Sequence, residues 1–285
     1  IAKKIDPTLN IKVVEEKIKN NHPENFNQVI KKYKESVVKA RKFIINNSLM
    51  KIPPDEKVII KETPGFLAHT TPFAAYFAPT KFDKEKIGIY IVTPSKQKRI
   101  LRKHNFAAIS NTSIHEAYPG HHLQFVWGYK NPSLARTLSD ATEFIEGWAH
   151  YCEEYMRDIG YNNRNDIRFI QTLDEIWRAA RVIIDIKIHI GKINFDQAVK
   201  FLVKQTGMEK ENAIAEVKRY TKSPSYPLSY LIGKYQIKKL KKDIKMKMGK
   251  KYSDKFFHET ILDAGGIPIK YLCEEFKLEL KGQNL

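Results

Sequence analysis

The sequence predicts a mainly α-helical protein with a few short β-strands. Residues 24–47 carry apolar side chains at three- and four-residue spacing, with lysine and arginine on the other faces, which is typical of a surface helix. After residue 97 most of the chain divides into segments of helical length. Short apolar runs that suit strands occur between residues 58 and 92. No internal repeat or low-complexity linker interrupts this pattern.

Each element is predicted in order along the chain. Helices cover residues 9–20 and 24–47, and Pro53-Pro54 ends this section. Short strands follow over 58–62, 74–78 and 87–92, with a turn at Thr63-Pro64-Gly65. Residues 97–125 hold a helix and its lead-in, and further helices are predicted over 132–158, 164–190, 195–204, 208–220, 228–248, 253–264 and 268–281.

Three histidines and one glutamate lie within eight residues of the chain, at His115, Glu116, His121 and His122. Neutral imidazoles bind zinc, and a neighbouring carboxylate can take a proton from a metal-bound water. The motif resembles the H-E-x-x-H signature of zinc peptidases, in which the second histidine lies four residues after the first. Here that position is Pro119, and the next histidines follow six and seven residues after His115. The residue types therefore fit a zinc site, but their spacing does not fit an unbroken helix.

A break in the helix is needed to bring two of these histidines to one zinc ion. On a straight α-helix the residue six positions on lies roughly 9 Å further along the axis, whereas two ligands of one metal lie only ~3 Å apart. Pro119 removes a backbone donor and Gly120 frees the backbone, so a kink or bulge here can return His121 beside His115. We therefore predict His115 and His121 as zinc ligands, with His122 as the alternative. The competing interpretation is a helix break followed by a pair of surface histidines.

A second segment supplies a third ligand. Glu146, His150 and Glu153 are spaced at i, i+4 and i+7, so they share one helical face. Catalytic zinc sites use three protein ligands and keep one position for water. We predict Glu146 as the third ligand of a single zinc ion per chain, because a carboxylate between Ile145 and Trp148 needs a partner. His150 and Glu153 are predicted to orient the ligands or to serve as alternative ligands, although a solvated acidic face is the commoner role of a residue such as Glu153.

The two motifs resemble those of the DUF885 family. Residues 115–124 and 146–153 carry the resemblance, and similar blocks follow at 178–185, 194–199, 227–234, 257–259 and 266–268. The resemblance runs from about Ala75 to the C-terminus, and it identifies the chain with the C-terminal, catalytic half of longer family members. It implies a multi-helical, gluzincin-like metallopeptidase domain. We accordingly predict a helical flank over residues 1–52 and a catalytic domain over 53–285, joined as one continuous unit.

Downstream residues add candidates for catalysis and substrate binding. Tyr230 is a candidate donor to the oxyanion of a tetrahedral intermediate, and it is equally well explained as a core aromatic on a helix. Arg178 and Arg181 could clamp a substrate carboxylate, as a carboxypeptidase or dipeptidase requires. Alternatively, Arg181 and Asp185 form only an ion pair on the helix surface. Lys234, in the same block as Tyr230, is predicted to bind substrate.

The chain is strongly basic, with a formal net charge of +18 from 50 Lys and Arg against 32 Asp and Glu. Such a charge is compatible with nucleic acid, anionic lipid or acidic substrates. The densest lysine run, residues 238–251, is better explained as the solvated face of an amphipathic helix. No nucleic-acid-binding motif accompanies the charge, so no nucleic-acid partner is expected. Because no apolar run has the length of a membrane span and no apolar leader is visible, a cytoplasmic location is expected.

These observations predict a zinc-dependent hydrolase, most directly a peptidase that acts on short peptides. Glu116 would be the general base for a metal-activated water, and strand 87–92 would bind substrate backbone as an added strand, by analogy with zinc peptidases. Two alternatives stay open: a non-catalytic pseudo-enzyme or basic anion-binding module, and a hydrolase of a non-peptide amide or ester. Retention of Glu116 beside His115 favours catalysis, because a structural zinc site needs no general base. The sequence predicts no oligomeric state.

Overall fold

Helices make up most of the structure, a computed structural model that describes residues 1–5, 10–68, 71, 73–94 and 101–276. The mainly α-helical class predicted from the sequence is confirmed. The first helices are α1 (Ala2–Ile5), α2 (Ile11–Asn20) and α3 (Phe26–Asn46). Both α2 and α3 begin where an asparagine side chain, Asn10 or Asn25, accepts hydrogen bonds from backbone amides of the first turn.

A small sheet follows these helices in the chain. It consists of β1 (Glu56–Glu62), β2 (Ala74–Phe77) and β3 (Lys86–Val92) in the order β1-β3-β2. The central strand β3 runs parallel to β1 and antiparallel to β2. All three strands lie where the sequence predicts them. Because β3 is paired on both sides, the prediction that strand 87–92 binds a substrate as an added strand is wrong.

The remaining described helices follow the sheet and are joined by short loops. They are α4 (Phe106–Glu116), α5 (His121–Gly128), α6 (Leu134–Leu138), α7 (Thr142–Asp158), α8 (Asn165–His189), α9 (Phe195–Thr206), α10 (Lys210–Tyr220), α11 (Tyr226–Met248), α12 (Asp254–Asp263) and α13 (Ile269–Glu275).

Three predicted helices differ from the observed ones. The segment predicted over 97–125 forms two helices, α4 and α5, divided at residues 117–120, and its residues 97–100 lie outside the described part of the chain. The helix predicted over 132–158 is interrupted between α6 and α7, where the amide of Ala141 donates to the carbonyl of Gly266 at 2.8 Å. This contact comes from a segment distant in sequence, so local periodicity does not show it. The helix predicted over 268–281 ends at Glu275, and residues 277–281 lie outside the described part of the chain.

Three hydrophobic cores hold the described helices in place, and the smallest, which includes Ile18 and Phe169, joins α2 with α4 and α8. The largest core joins α3, the sheet, α7 and the helices α11 to α13, with Tyr33, Tyr90 and Trp148 among its fully buried side chains. The second core, which includes Ile184 and Leu202, joins α8 with α9 and α10. Within the described residues, no helix has both the length and the apolar character that crossing a bilayer requires.

Helices α7 and α11 approach each other closely through two glycines. A Cβ added at Gly147 of α7 would lie 2.5 Å from the Cα of Gly233 on α11, and one added at Gly233 would lie 1.8 Å from the carbonyl oxygen of Glu143. Only glycine permits this backbone contact. It places the first turns of α11 directly beside the face of α7 that carries the predicted ligand Glu146.

Candidate metal centre

The segment between α4 and α5 packs closely against the last turn of α4. The Tyr118–Pro119 peptide bond is cis, and the amide of Gly120 donates to the carbonyl of Ile114 at 3.0 Å. A Cβ at Gly120 would lie 1.9 Å from the carbonyl oxygen of His115, so a side chain does not fit there. The second helix therefore starts beside the end of the first. As a result, the ring centroids of His115 and His121 are 4.8 Å apart.

Glu146 on α7 completes a cluster of three buried ligating groups. Its Oε2 lies 3.5 Å from Nε2 of His115 and 3.4 Å from Nε2 of His121. One ligand atom from each residue falls within 4.8 Å of the others. Two ligands of a tetrahedral zinc ion lie about 3.3 Å apart when each is ~2 Å from the metal. The two glutamate–histidine separations therefore match those of two ligands of one ion, and the third pair lies within 4.8 Å.

An unpartnered carboxylate oxygen supports this fit. Oε2 of Glu146 is buried and accepts no hydrogen bond from any described residue. A buried charged oxygen without a partner is costly unless a cation satisfies it. Burial alone would raise the pKa of Glu146, but His121 and His115 hold it well below its usual value. The carboxylate is therefore ionised and faces two imidazole nitrogens, which is a suitable donor set for zinc.

Glu153 fixes the orientation of His115 from behind. Its Oε1 lies 2.7 Å from Nδ1 of His115 and also accepts a hydrogen bond from Arg178 at 2.9 Å. Its Oε2 accepts from the side-chain amide of Asn111 at 2.9 Å. Burial alone would raise the pKa of Glu153, but Arg178 and the two neighbouring histidines keep it well below its usual value. Because an ionised carboxylate only accepts, Nδ1 of His115 donates to Glu153, and Nε2 is the nitrogen directed towards Glu146 that would bind a metal.

Glu116 lies half-buried next to these groups. Burial raises the pKa of its carboxyl group, and the nearby charges of His115 and His121 oppose that change. Burial alone would lower the pKa of His115, but the neighbouring carboxylates of Glu146 and Glu153 raise it to about 10. A carboxyl whose pKa is shifted towards neutrality suits a group that must both accept and return a proton.

Two tyrosines at the start of α11 border the cluster. The hydroxyl of Tyr226 donates to Oε1 of Glu146 at 2.5 Å, and the hydroxyl of Tyr230 donates to that of Tyr226 at 3.4 Å. The ring of Tyr230 is stacked against His115, with centroids 6.2 Å apart and planes inclined by 15°. Sequence reasoning missed Tyr226. Its position one helical turn before Tyr230 was the available signal, since residues four apart share a face.

The three predicted substrate-binding cations are held by protein carboxylates. Arg178 pairs with Glu153 and lies 3.6 Å from Asp174. Lys234 is buried and lies 2.6 Å from Glu154 and 3.0 Å from Glu175. Arg181 donates to the hydroxyl of Tyr220, lies 3.5 Å from Glu216 and stacks on the ring of Trp177. Asp185, the alternative partner of Arg181, instead lies 3.0 Å from His189.

The structure separates the remaining two histidines. His122 points away from the cluster of three and lies 2.7 Å from Oε2 of Glu56 on β1. His150 is buried, and its Nδ1 lies 3.6 Å from Oε2 of Glu153. Burial and the charge of Arg178 lower the pKa of His150 to about 3, so it is neutral. Of the predicted ligands and their alternatives, the fold thus brings together His115, His121 and Glu146.

One family model covers nearly the whole chain. The model of the family described as "Bacterial protein of unknown function (DUF885)" matches residues 1–275, and so extends beyond the resemblance that the sequence shows from about Ala75. No curated protein matches the chain.

Two solved structures share the fold. One is the "putative lipoprotein" from Colwellia psychrerythraea, with a TM-score of 0.81, 22% identity, and coverage of 97% of this chain and 50% of that chain. The other is described as "a putative lipoprotein of unknown function" from Shewanella oneidensis. Its TM-score is 0.82 at 25% identity, with coverage of 94% of this chain and 50% of that chain. The chain therefore spans about half the length of the solved structures that it matches.

Proposed function

We propose that this chain, which belongs to the DUF885 family, is a zinc-dependent hydrolase and, more specifically, a peptidase that acts on short peptides. One observation carries the proposal: three buried ligand atoms from His115, His121 and Glu146 lie within 4.8 Å of one another, beside a glutamate suited to act as general base. The gluzincin-like character implied by the sequence motifs supports the choice of peptides as substrates.

The three residues of this cluster would hold the zinc ion, and Glu153 would keep His115 in the required tautomer. A zinc ion held there supplies a Lewis acid that polarises a carbonyl group and lowers the pKa of a water ligand. Tyr226 donates to the second oxygen of Glu146, so that carboxylate is oriented from the other side. Each predicted ligand except His121 is therefore fixed by a side-chain hydrogen bond.

Glu116 would transfer the proton, and Tyr230 would stabilise the negative charge that develops on the substrate. Glu116 accepts the proton of the attacking water and returns it to the leaving amine, and burial adjusts its pKa towards that double role. The hydroxyl of Tyr230 donates a long hydrogen bond, of 3.4 Å, to the hydroxyl of Tyr226. A developing oxyanion next to His115 is a better acceptor, so we assign Tyr230 to its stabilisation.

The two arginines act through other residues in this proposal. Arg178 neutralises Glu153, and Arg181 lies over the ring of Tyr230 with 5.0 Å between guanidinium carbon and ring centroid. Both guanidinium groups are buried. We therefore assign them to holding Glu153 and Tyr230 in place.

Metal content tests the proposal directly. Elemental analysis of the zinc-loaded wild type should give about one zinc ion per chain, and His115→Ala should lose it. Glu116→Gln should retain zinc and lose peptide hydrolysis by about 10²- to 10⁴-fold in kcat, because only the general base is removed. Glu62→Gln, on the exposed end of β1, is the matched control and should change neither property.

Three outcomes would count against the proposal in different ways. A wild type that holds no zinc after loading would exclude the hydrolase and favour a pseudo-enzyme or basic anion-binding module. Zinc binding with cleavage of esters or small amides but of no peptide would point to a different hydrolase. Full activity in Glu116→Gln would show that Glu116 is not the base.

The cytoplasmic location stays a prediction. It contrasts with the two solved structures, whose descriptions name lipoproteins.

A further inference from the structure

A second buried network lies between the sheet and the turn that follows α4. Its centre is Glu56, the first residue of β1, whose side chain is 1% exposed. Oε2 of Glu56 accepts hydrogen bonds from the hydroxyl of Tyr118 and from Nε2 of His122, the latter at 2.7 Å. Oε1 accepts from Nε of Arg41 on α3 at 2.9 Å. One carboxylate thus ties together β1, α3 and the turn.

The donor and acceptor roles in this network are mutually consistent. Burial alone would raise the pKa of Glu56, but hydrogen bonds from His122, Tyr118 and Arg41 lower it, so the carboxylate is ionised. An ionised carboxylate only accepts, so His122 donates through Nε2. Its Nδ1 then accepts from the hydroxyl of Tyr76 at 2.8 Å, which leaves the ring neutral. Burial also lowers the pKa of His122, in agreement with a neutral ring.

The two residues that Glu56 holds lie on either side of a predicted zinc ligand. Tyr118 immediately precedes Pro119 and Gly120, and His122 immediately follows His121. The same oxygen atom of Glu56 binds both. The backbone between these two anchors carries His121, so its position depends on where they are held.

His121 lacks the support that the other ligand histidine has. Nδ1 of His115 is held by Glu153 at 2.7 Å, whereas Nδ1 of His121 is buried without a hydrogen-bond partner among the described residues. Metal-binding histidines ordinarily use this second nitrogen to fix the ring. For His121 the backbone must therefore supply the orientation.

We propose that Glu56 is a positioning residue of the metal centre: by binding Tyr118 and His122, it holds the turn that directs His121 towards Glu146. The proposal rests on the proposed function, because it concerns a ligand of the same zinc site. It assigns His122 a role in holding this turn through its hydrogen bond to Glu56. It also explains how a histidine six residues after the first can reach one metal ion.

Zinc affinity tests this role. The dissociation constant, measured by competition with a chromophoric chelator, should rise about 10- to 100-fold in Glu56→Gln, the range expected when support of a ligand is lost. Glu62→Gln on the same strand is the matched control and should bind zinc as the wild type does. If Glu56→Gln does not fold by circular dichroism, Tyr118→Phe removes one anchor only and should weaken zinc binding in the same direction.

A double-mutant cycle separates positioning from general damage. In a His121→Ala background, Glu56→Gln should leave the residual zinc affinity unchanged, because the ligand it positions is gone. An equal loss in both backgrounds would mean that Glu56 acts only on overall structure and would overturn the proposal. Unchanged zinc affinity in folded Glu56→Gln would overturn it as well. A wild type without zinc would instead refute the proposed function itself.

Discussion

At the scale of single residues, the candidate centre concentrates buried charge. Glu146 and Glu153 are ionised, and Arg178 is the buried cation that pairs with one of them. Oε2 of Glu146 faces only His115 and His121, at 3.5 and 3.4 Å, and it accepts no hydrogen bond in the described structure. Removing one partner of a buried ion pair is costly, because it leaves the other charge unpaired. The site therefore has the electrostatic character of one that receives a cation.

A buried histidine outside the centre makes a measurable contribution to the pH dependence of stability. His258 on α12 is fully buried, and its Nε2 lies 2.8 Å from the hydroxyl of Tyr151. Burial and the charge of Lys241 lower its pKa from 6.5 to about 3, while Asp254 opposes the shift. The folded pKa is below the unfolded one, so the stabilisation is present above pH 6.5 and is lost as the pH falls towards 3.

This histidine predicts the result of chemical unfolding at two pH values. When the pH falls from roughly 7 to 5, one histidine that stays neutral in the folded protein should lower the free energy of unfolding by about 2 kcal/mol. His258→Gln should remove that contribution, so its unfolding free energy should depend less on pH than that of the wild type by about 2 kcal/mol. Urea unfolding at both pH values measures the difference. An identical pH dependence in the two proteins would show that His258 does not stay neutral.

At the scale of elements, the contact between α7 and α11 positions Glu146 against Tyr226. Gly147→Ala should destabilise the protein by about 1–3 kcal/mol, because the new Cβ meets backbone atoms that cannot rotate away. The gain in helix propensity from alanine, up to ~1 kcal/mol, acts in the opposite direction but is smaller. Zinc affinity should fall too, since moving α11 withdraws Tyr226 from Glu146.

Urea unfolding and chelator competition measure these two effects. Gly65→Ala is the control, because a Cβ there would meet no atom within 4 Å. It should leave both the unfolding free energy and the zinc affinity near their wild-type values. A Gly147→Ala protein as stable as the wild type would show that the two helices can separate without cost.

Element positions were more predictable than element junctions. The apolar spacing of α3 and the short runs of β1 and β3 are local features, so their locations follow from the sequence. The interruption at residues 139–141 depends on Gly266, more than a hundred residues later. Likewise, the sequence leaves His121 and His122 as alternative zinc ligands, because Glu56, on the distant strand β1, determines where the side chain of His122 points. Tertiary contacts decide what local patterns leave open.

At the scale of the whole molecule, the candidate centre draws on five helices and one strand. The ligands come from short motifs in α4, α5 and α7, which is why residue chemistry and spacing were sufficient to propose them. The groups that orient them, including Arg178, Tyr226 and Glu56, come from α8, α11 and β1. Such supporting residues have no common spacing in the sequence, so only the fold identifies them.

The net charge of +18 should make the proposed hydrolysis sensitive to the charge of the substrate. An excess of positive charge raises the local concentration of anionic molecules around a protein, and salt screens this effect over a Debye length of about 10 Å at 0.1 M. For a glutamate-containing peptide, kcat/KM should therefore fall several-fold between roughly 0.02 and 0.3 M NaCl. The change should appear in KM, because kcat reports chemistry within the bound complex.

A lysine-containing peptide of the same length is the matched comparison. Its kcat/KM should rise or stay level with salt, since screening removes repulsion rather than attraction. Parallel salt responses for both peptides would mean that the positive charge lies away from the approach to the centre. The effects of the long-range electric field and of the buried centre can therefore be measured separately. Salt should change KM for an acidic peptide, whereas Glu116→Gln should change kcat.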